Sequence, residues 1–123
     1  MIRMFRDDEY ALHMEFDHDG AIELKTKFQE ALINGHSCIR VHNSSLDSMK
    51  KVKEIKITNC GQPSEMYYNS EILTLELDKD IIDFCIVRFN ACINHKDFFP
   101  AEICDVDYEN TELTIYGIYM EVK

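Results

Sequence analysis

His13, Glu15 and Asp17 alternate along one short segment, so in a β-strand their side chains leave from the same face. An imidazole and two carboxylates on one face form a donor set that a divalent metal accepts, which would open hydrolytic chemistry. His18 and Asp19 follow in a turn, where the spacing does not fix their directions. Helix capping accounts for Asp17 or Asp19 without any metal, because a carboxylate there accepts from the first free backbone N–H groups. The corresponding segment of the second half has Thr74 where His13 stands, so a repeat would not duplicate the ligands. The expectation is no metal and no cofactor, with a metal-dependent hydrolase kept as a rival.

Other reactive patterns are absent. The cysteines, Cys38, Cys60, Cys85, Cys92 and Cys104, are odd in number and contain no Cys-x-x-Cys pair. Cys85 and Cys92 fall on an apolar helical stripe and read as core, Cys38 and Cys104 fall in strands, and Cys60 is expected to be the exposed thiol. No basic neighbour in sequence marks any of them as a nucleophile. There is no glycine-rich phosphate loop and no nucleophile elbow. No catalytic residue is assigned, and the protein is not expected to be an enzyme.

The carboxylates are more informative. The chain has 123 residues, with 23 acidic against 13 basic and a net charge of −10. That balance excludes nucleic acid and anionic membrane as natural partners, and the one basic run, Lys50-Lys51-Val52-Lys53, reads as a solvated turn. Much of the acid sits on alternating strand positions whose neighbours are apolar. Seven residues are therefore the candidate partner-binding set: Glu15, Asp17, Glu76, Asp78, Asp105, Asp107 and Glu109. Tyr67 and Tyr68 could add aromatic anchors beside them.

These side chains need a sheet to hold them. Tyr10 to Asp17 alternates as a half-buried strand, and Asp17-His18-Asp19-Gly20 breaks it. Ala21, Leu24, Phe28, Ala31 and Leu32 then form one helical face that stops at Asn34-Gly35. His36 to Asn43 and the region of Val52, Ile55 and Ile57 read as strands, separated by a polar turn over 44–49. Asn59 to Ser64 is a loop. Glu71 to Asp78 is a strand, and a second helix carries Ile81, Ile82, Cys85, Ile86, Phe89, Cys92 and Ile93. After Phe98-Phe99-Pro100, Ile103 to Tyr108 and Leu113 to Val122 form a hairpin turning at Glu109-Asn110-Thr111. The last strand is apolar on both faces and should be central.

The halves resemble each other. Met14-Glu15-Phe16-Asp17 matches Leu75-Glu76-Leu77-Asp78 at an offset of 61, and Ala31-Leu32-Ile33-Asn34 matches Ala91-Cys92-Ile93-Asn94 at 60. A one-residue gap between strand and helix would reconcile the two. The expected fold is one α+β domain over 1–123, a mainly antiparallel sheet with two helices on one face, built from two pseudo-symmetric βαββ halves.

The run Met14 to Leu24, with Phe28-Gln29-Glu30-Ala31-Leu32 and Gly35-His36-Ser37-Cys38-Ile39-Arg40-Val41, resembles small bacterial immunity proteins of polymorphic-toxin and contact-dependent growth inhibition systems. The resemblance covers about the first 45 residues. It implies a non-enzymatic protein that binds and blocks one cognate toxin domain, often a nuclease, inside the producing cell. The acidic set would then pair with the Lys and Arg groups of a basic toxin domain. A cytoplasmic monomer or weak homodimer is expected, since no apolar run marks an export signal or a membrane span. The rival binding reading is a small-molecule or regulatory module with an apolar pocket at the pseudo-symmetric junction.

Overall fold

A computed structural model describes residues 1–61, 63–95 and 101–120. The first half holds β1 (Ile2–Asp8), β2 (Ala11–Phe16), α1 (His18–Asn34), β3 (His36–Asp47) and β4 (Lys50–Asn59). The second repeats the order with β5 (Glu65–Asn69), β6 (Ile72–Leu77), α2 (Lys79–His95), β7 (Ala101–Tyr108) and β8 (Thr111–Tyr119). The fold is α+β, with two helices and a mostly antiparallel eight-strand sheet among the described residues. The repeating unit is ββαββ, one strand longer than the expected βαββ. β1 and β5 escape a sequence reading because Arg6 and Tyr68 stand at inward positions where apolar alternation would be expected.

The sheet closes on itself as β1-β2-β8-β7-β5-β6-β4-β3. Each sequential strand pair is an antiparallel hairpin, and the hairpins join along parallel seams. The two seams between the halves are equivalent: Leu12 pairs with Ile115 across one, and Leu73 with Ile55 across the other. Exchanging the halves maps the closed strand order onto itself, so the barrel has a pseudo-twofold axis. The expectation of a central last strand holds in the sense that β8 is flanked by β2 and β7. Of the polar stretch expected to turn over 44–49, only Ser48-Met49 does so; 44–47 are the second half of a long β3, bent where Asn43 takes φ 45° and the register shifts.

The helix register is simpler than the sequence match suggested. Asp17 caps α1 by accepting from the Gly20 N–H at 2.8 Å, and Asp78 caps α2 by accepting from Ile81 N–H at 2.9 Å. The buried helix positions Ala21, Leu24, Phe28 and Ala31 correspond to Ile82, Cys85, Phe89 and Cys92. The offset of 61 therefore runs unbroken from β2 through the helix, and the Ala31–Ala91 identity is one residue out of register. No gap is needed before the helix.

Both helices join the barrel at the end where β2 and β6 stop and β3 and β7 begin. Phe28 and Phe89 meet edge to face at 5.2 Å between centroids, and Phe89 meets Phe16 of β2 at 5.8 Å, which fastens the helix pair to the wall. Gly35 closes α1 in the left-handed region at φ 91°, returning its N–H to the Ala31 carbonyl. The inward strand residues and the buried helix faces form one continuous apolar cluster. The hairpin turns lie at the opposite end of the barrel. There Arg6, Lys50, Tyr68 and Tyr108 share a stack, with the Arg6 guanidinium 5.5 Å and the Lys50 ammonium 5.7 Å from the Tyr108 ring centroid.

Candidate functional site

The barrel wall sorts charge by half. Residues 1–60 carry ten acidic and nine basic side chains, whereas residues 61–123 carry thirteen acidic and four basic. Cross-strand register then gathers the acid of the second half. Glu76 of β6 lies opposite Glu65 of β5, Glu65 opposite Asp107 of β7, and Asp107 opposite Glu112 of β8. Directly opposed residues share a face, so these form one row of carboxylates across four adjacent strands. None of the four makes an ion pair among the described residues.

The row extends toward the helix end. Asp105 is exposed and accepts a hydrogen bond from Thr114 Oγ1 at 2.6 Å. Glu102, beside it, has its carboxyl pushed above the usual range, first by a hydrogen bond with Asp105 and then by that group's charge. Asp78 and Asp80 at the start of α2 border a shallow depression of about 590 Å³ shared with Ile81, Phe84 and Asp105. Phe84 is 54% exposed, and Arg88 lies over its ring at 5.5 Å while donating to the Glu102 carbonyl. The surface is thus an acidic field with an apolar patch at its edge.

The equivalent place in the first half shows what the fold would otherwise do. Met4 pairs with Met14 and Met66 with Leu75, so Arg3 and Glu15 occupy the positions that Glu65 and Glu76 occupy in the second half. Arg3 donates twice to Glu15 Oε1, at 2.6 and 3.0 Å, and Glu15 is only 7% exposed. One half solves the position with an ion pair and the other with two like charges.

Of the seven expected contact residues, Glu76, Asp78, Asp105 and Asp107 come together on the β5–β8 side. Glu15 does not: it is buried and neutralised by Arg3. Asp17 sits on the β2 side, where it caps α1 and receives the chain's terminal ammonium at 2.9 Å. Its carboxyl is held below the usual range: burial acts to raise it, but the ammonium and the Gly20 N–H outweigh that. Glu109 lies at the turn end, 3.4 Å from Lys50. Glu65, Asp80, Glu102 and Glu112 complete the surface and were missed. Glu65 and Glu112 become legible only once β5 is recognised as a strand and the tight turn at 109–110 places Glu112 opposite Asp107.

Basic side chains collect on β3 and β4, next to β6. Arg40, Lys51, Lys53 and Lys56 are exposed on β3 and β4. The Lys50 run is a strand and not a turn, and Lys50 itself turns inward over Tyr68 and Tyr108. β5 and β7 pair only at Glu65–Asp107, and beyond that pair a cleft of about 650 Å³ opens between them. Tyr67 and Tyr68 line it together with Tyr108.

The remaining chemistry resolves plainly. His13 is edge-on to Phe5 at 5.4 Å and to Tyr116 at 5.7 Å, with Asp7 at 3.5 Å, and no metal-binding group of three occurs among the described residues. Cys38 is the exposed thiol, and Cys60 is half-buried, because Cys38 faces outward on β3. Cys85, Cys92 and Cys104 are buried, and burial pushes the Cys85 thiol up to about 12. Leu12, Leu73, Ile55 and Ile115 pack the junction between the halves at no more than 1% exposure. Phe98, Phe99, Pro100 and Val122 lie outside the described residues. Among the described residues, no helix is long and apolar enough to cross a membrane. No protein-family profile matches the chain, and no curated protein is similar to it.

Proposed function

We propose that this protein is an immunity protein, a non-catalytic inhibitor that binds a basic toxin domain through the acidic wall of β5 to β8. The observation that carries the reading is the row Glu76–Glu65–Asp107–Glu112, aligned on one face, none of which makes an ion pair among the described residues. Like charges placed directly opposite one another destabilise a sheet, so their retention argues for a partner that supplies the missing positive charge. A nuclease fits, since the Lys and Arg groups that hold phosphate are what such a row would cover. Binding in the cytoplasm of the producing cell follows from the same reading, as does action as a monomer or weak homodimer.

The test is co-expression with the protein encoded immediately upstream. The expected result is a stable complex and rescue of growth. Charge reversal at Asp105 and Asp107 together should slow association by an order of magnitude or more, because wall charges act mainly on the encounter rate. An association rate that ignores ionic strength, or an undiminished affinity in the reversed variant, would remove the acidic wall from the interface.

A further inference from the structure

The acidic row supplies attraction but no shape. An interface of this kind needs an anchor, a pocket that one side chain of the partner fills, and such anchors are most often Tyr and Arg. The cleft between β5 and β7 has that form. Its volume, about 650 Å³, is in the range of ordinary ligand sites. β5 and β7 pair only at Glu65–Asp107, just as β1 and β3 pair only at Phe5–Ser45, but the β1–β3 seam is also tied by Met4 N–H donating to Ser44 Oγ at 2.8 Å.

The walls of this cleft are chemically matched to a cation. Tyr68 and Tyr108 present ring faces, and each phenol is fixed by a hydrogen bond: Tyr68 donates to the Lys51 carbonyl at 2.7 Å, and Tyr108 accepts from Lys50 Nζ at 3.2 Å. Glu65, Asp107 and Glu109 stand at the rim. A cation already occupies the inner side. The Lys50 ammonium lies 5.9 Å from the Tyr68 centroid and 5.7 Å from that of Tyr108, and 3.4 Å from Glu109. Tyr68 is half-buried and Tyr108 is only 4% exposed beneath Lys50, whose own side chain remains 35% exposed, so a second cation reaches these rings by taking the place of Lys50.

We propose that this cleft is the anchoring site for an arginine side chain of the protein partner, which displaces Lys50 from Tyr68, Tyr108 and Glu109. Arginine fits better than lysine. Its flat guanidinium stacks on a tyrosine ring and still donates in the plane to two carboxylates, here Glu65 and Asp107 at the mouth. Lys50 then acts as an internal competitor that keeps the cleft occupied until the partner arrives. The site adjoins the acidic row through Glu65 and Asp107, so steering and anchoring lie on one continuous surface. This assignment rests on the toxin-binding reading for its biological partner but not for its chemistry.

The test uses the full chain and a small probe. N-acetyl-arginine amide is titrated into the isotope-labelled protein and followed by amide chemical shifts, with N-acetyl-citrulline amide as the uncharged isostere. The expected result is saturable shifts at Tyr67, Tyr68, Tyr108, Glu109 and Asn110 with arginine and none with citrulline. Lys50→Met keeps the apolar stem and removes the competing ammonium, and it should tighten arginine binding roughly 2- to 5-fold, the scale of an exposed cation–π contact. Asp107→Asn should weaken binding in an otherwise unchanged spectrum. Shifts scattered over the acidic wall, equal shifts with citrulline, or a Lys50→Met variant that binds no tighter would each overturn the assignment. Because the probe is read without any toxin, failure here leaves the co-expression result standing, and failure of co-expression leaves the cleft standing.

Discussion

Replacing Asp107 by Asn should make the protein more stable, and the gain should depend on salt in a calculable way. Asp107 stands between Glu65 and Glu112, each directly opposite it on a neighbouring strand. Opposed residues place their Cβ atoms about 5 Å apart, so the charges are about 6 Å apart. Each exposed pair then repels by about 0.7 kcal/mol in unscreened water. Screening over a Debye length of about 8 Å at physiological salt halves this, leaving about 0.7 kcal/mol for the two neighbours together. At 0.01 M salt the sum is about 1.1 kcal/mol, and at 1 M it falls to about 0.2 kcal/mol. Asn is close in shape to Asp, and no cation pairs with Asp107 among the described residues, so little else is lost. Urea denaturation of both proteins at these three salt concentrations measures the difference directly. A variant less stable than the parent at low salt, or a gain that does not shrink with salt, would show that the row is not a site of repulsion. The functional argument from it would then fail.

Gly20→Ala should cost about 1–3 kcal/mol in the same assay, because a Cβ there would collide with the Met1 carbonyl oxygen, which accepts from the Asp17 N–H, and stand 3.0 Å from the Phe16 Cβ. Asp17 has a lowered carboxyl pKa, so its contribution is complete above the ordinary value of 3.8 and is lost as pH falls through the lower native one. Asp17→Asn should therefore be less stable by up to about 1 kcal/mol at neutral pH, with the gap narrowing in strong acid, as thermal melts against pH will record. Glu102 behaves oppositely. Its raised pKa makes the native state bear a penalty above that pKa which vanishes below the ordinary 4.5, so Glu102→Gln should raise the melting temperature at pH 7 and not at pH 4.

Legibility followed the local pattern closely. Both helices, their aspartate caps and the apolar alternation in β2, β6 and β8 are set by neighbours within a few residues, and each could be read directly. β1 and β5 could not, since their inward positions include Arg6 and Tyr68, which serve the stack at the barrel end rather than the apolar core. Missing those strands concealed the closure of the sheet, and with it the acidic row. Asp105 and Asp107 were recognisable from alternation alone, but their partners Glu65 and Glu112 depend on which strands become neighbours, a long-range property. Glu15 failed for the same reason: it looks identical to Glu76 in sequence, and only the cross-strand residue, Arg3 in one case and Glu65 in the other, decides whether the carboxylate is neutralised.

The pseudo-twofold barrel has a consequence for how such a surface can arise at all. A homodimer of single ββαββ units would enclose the same core, but every substitution in it would occur twice, once on each wall. Glu65 could not be acidic on one side while its counterpart Arg3 was basic on the other. With both units on one chain, the inward residues remain bound by a common packing scheme, while the outward residues of each copy are free to diverge. Fusion decouples the scaffold from its decoration, and a molecule with one charged side and one nearly balanced side becomes reachable by single substitutions.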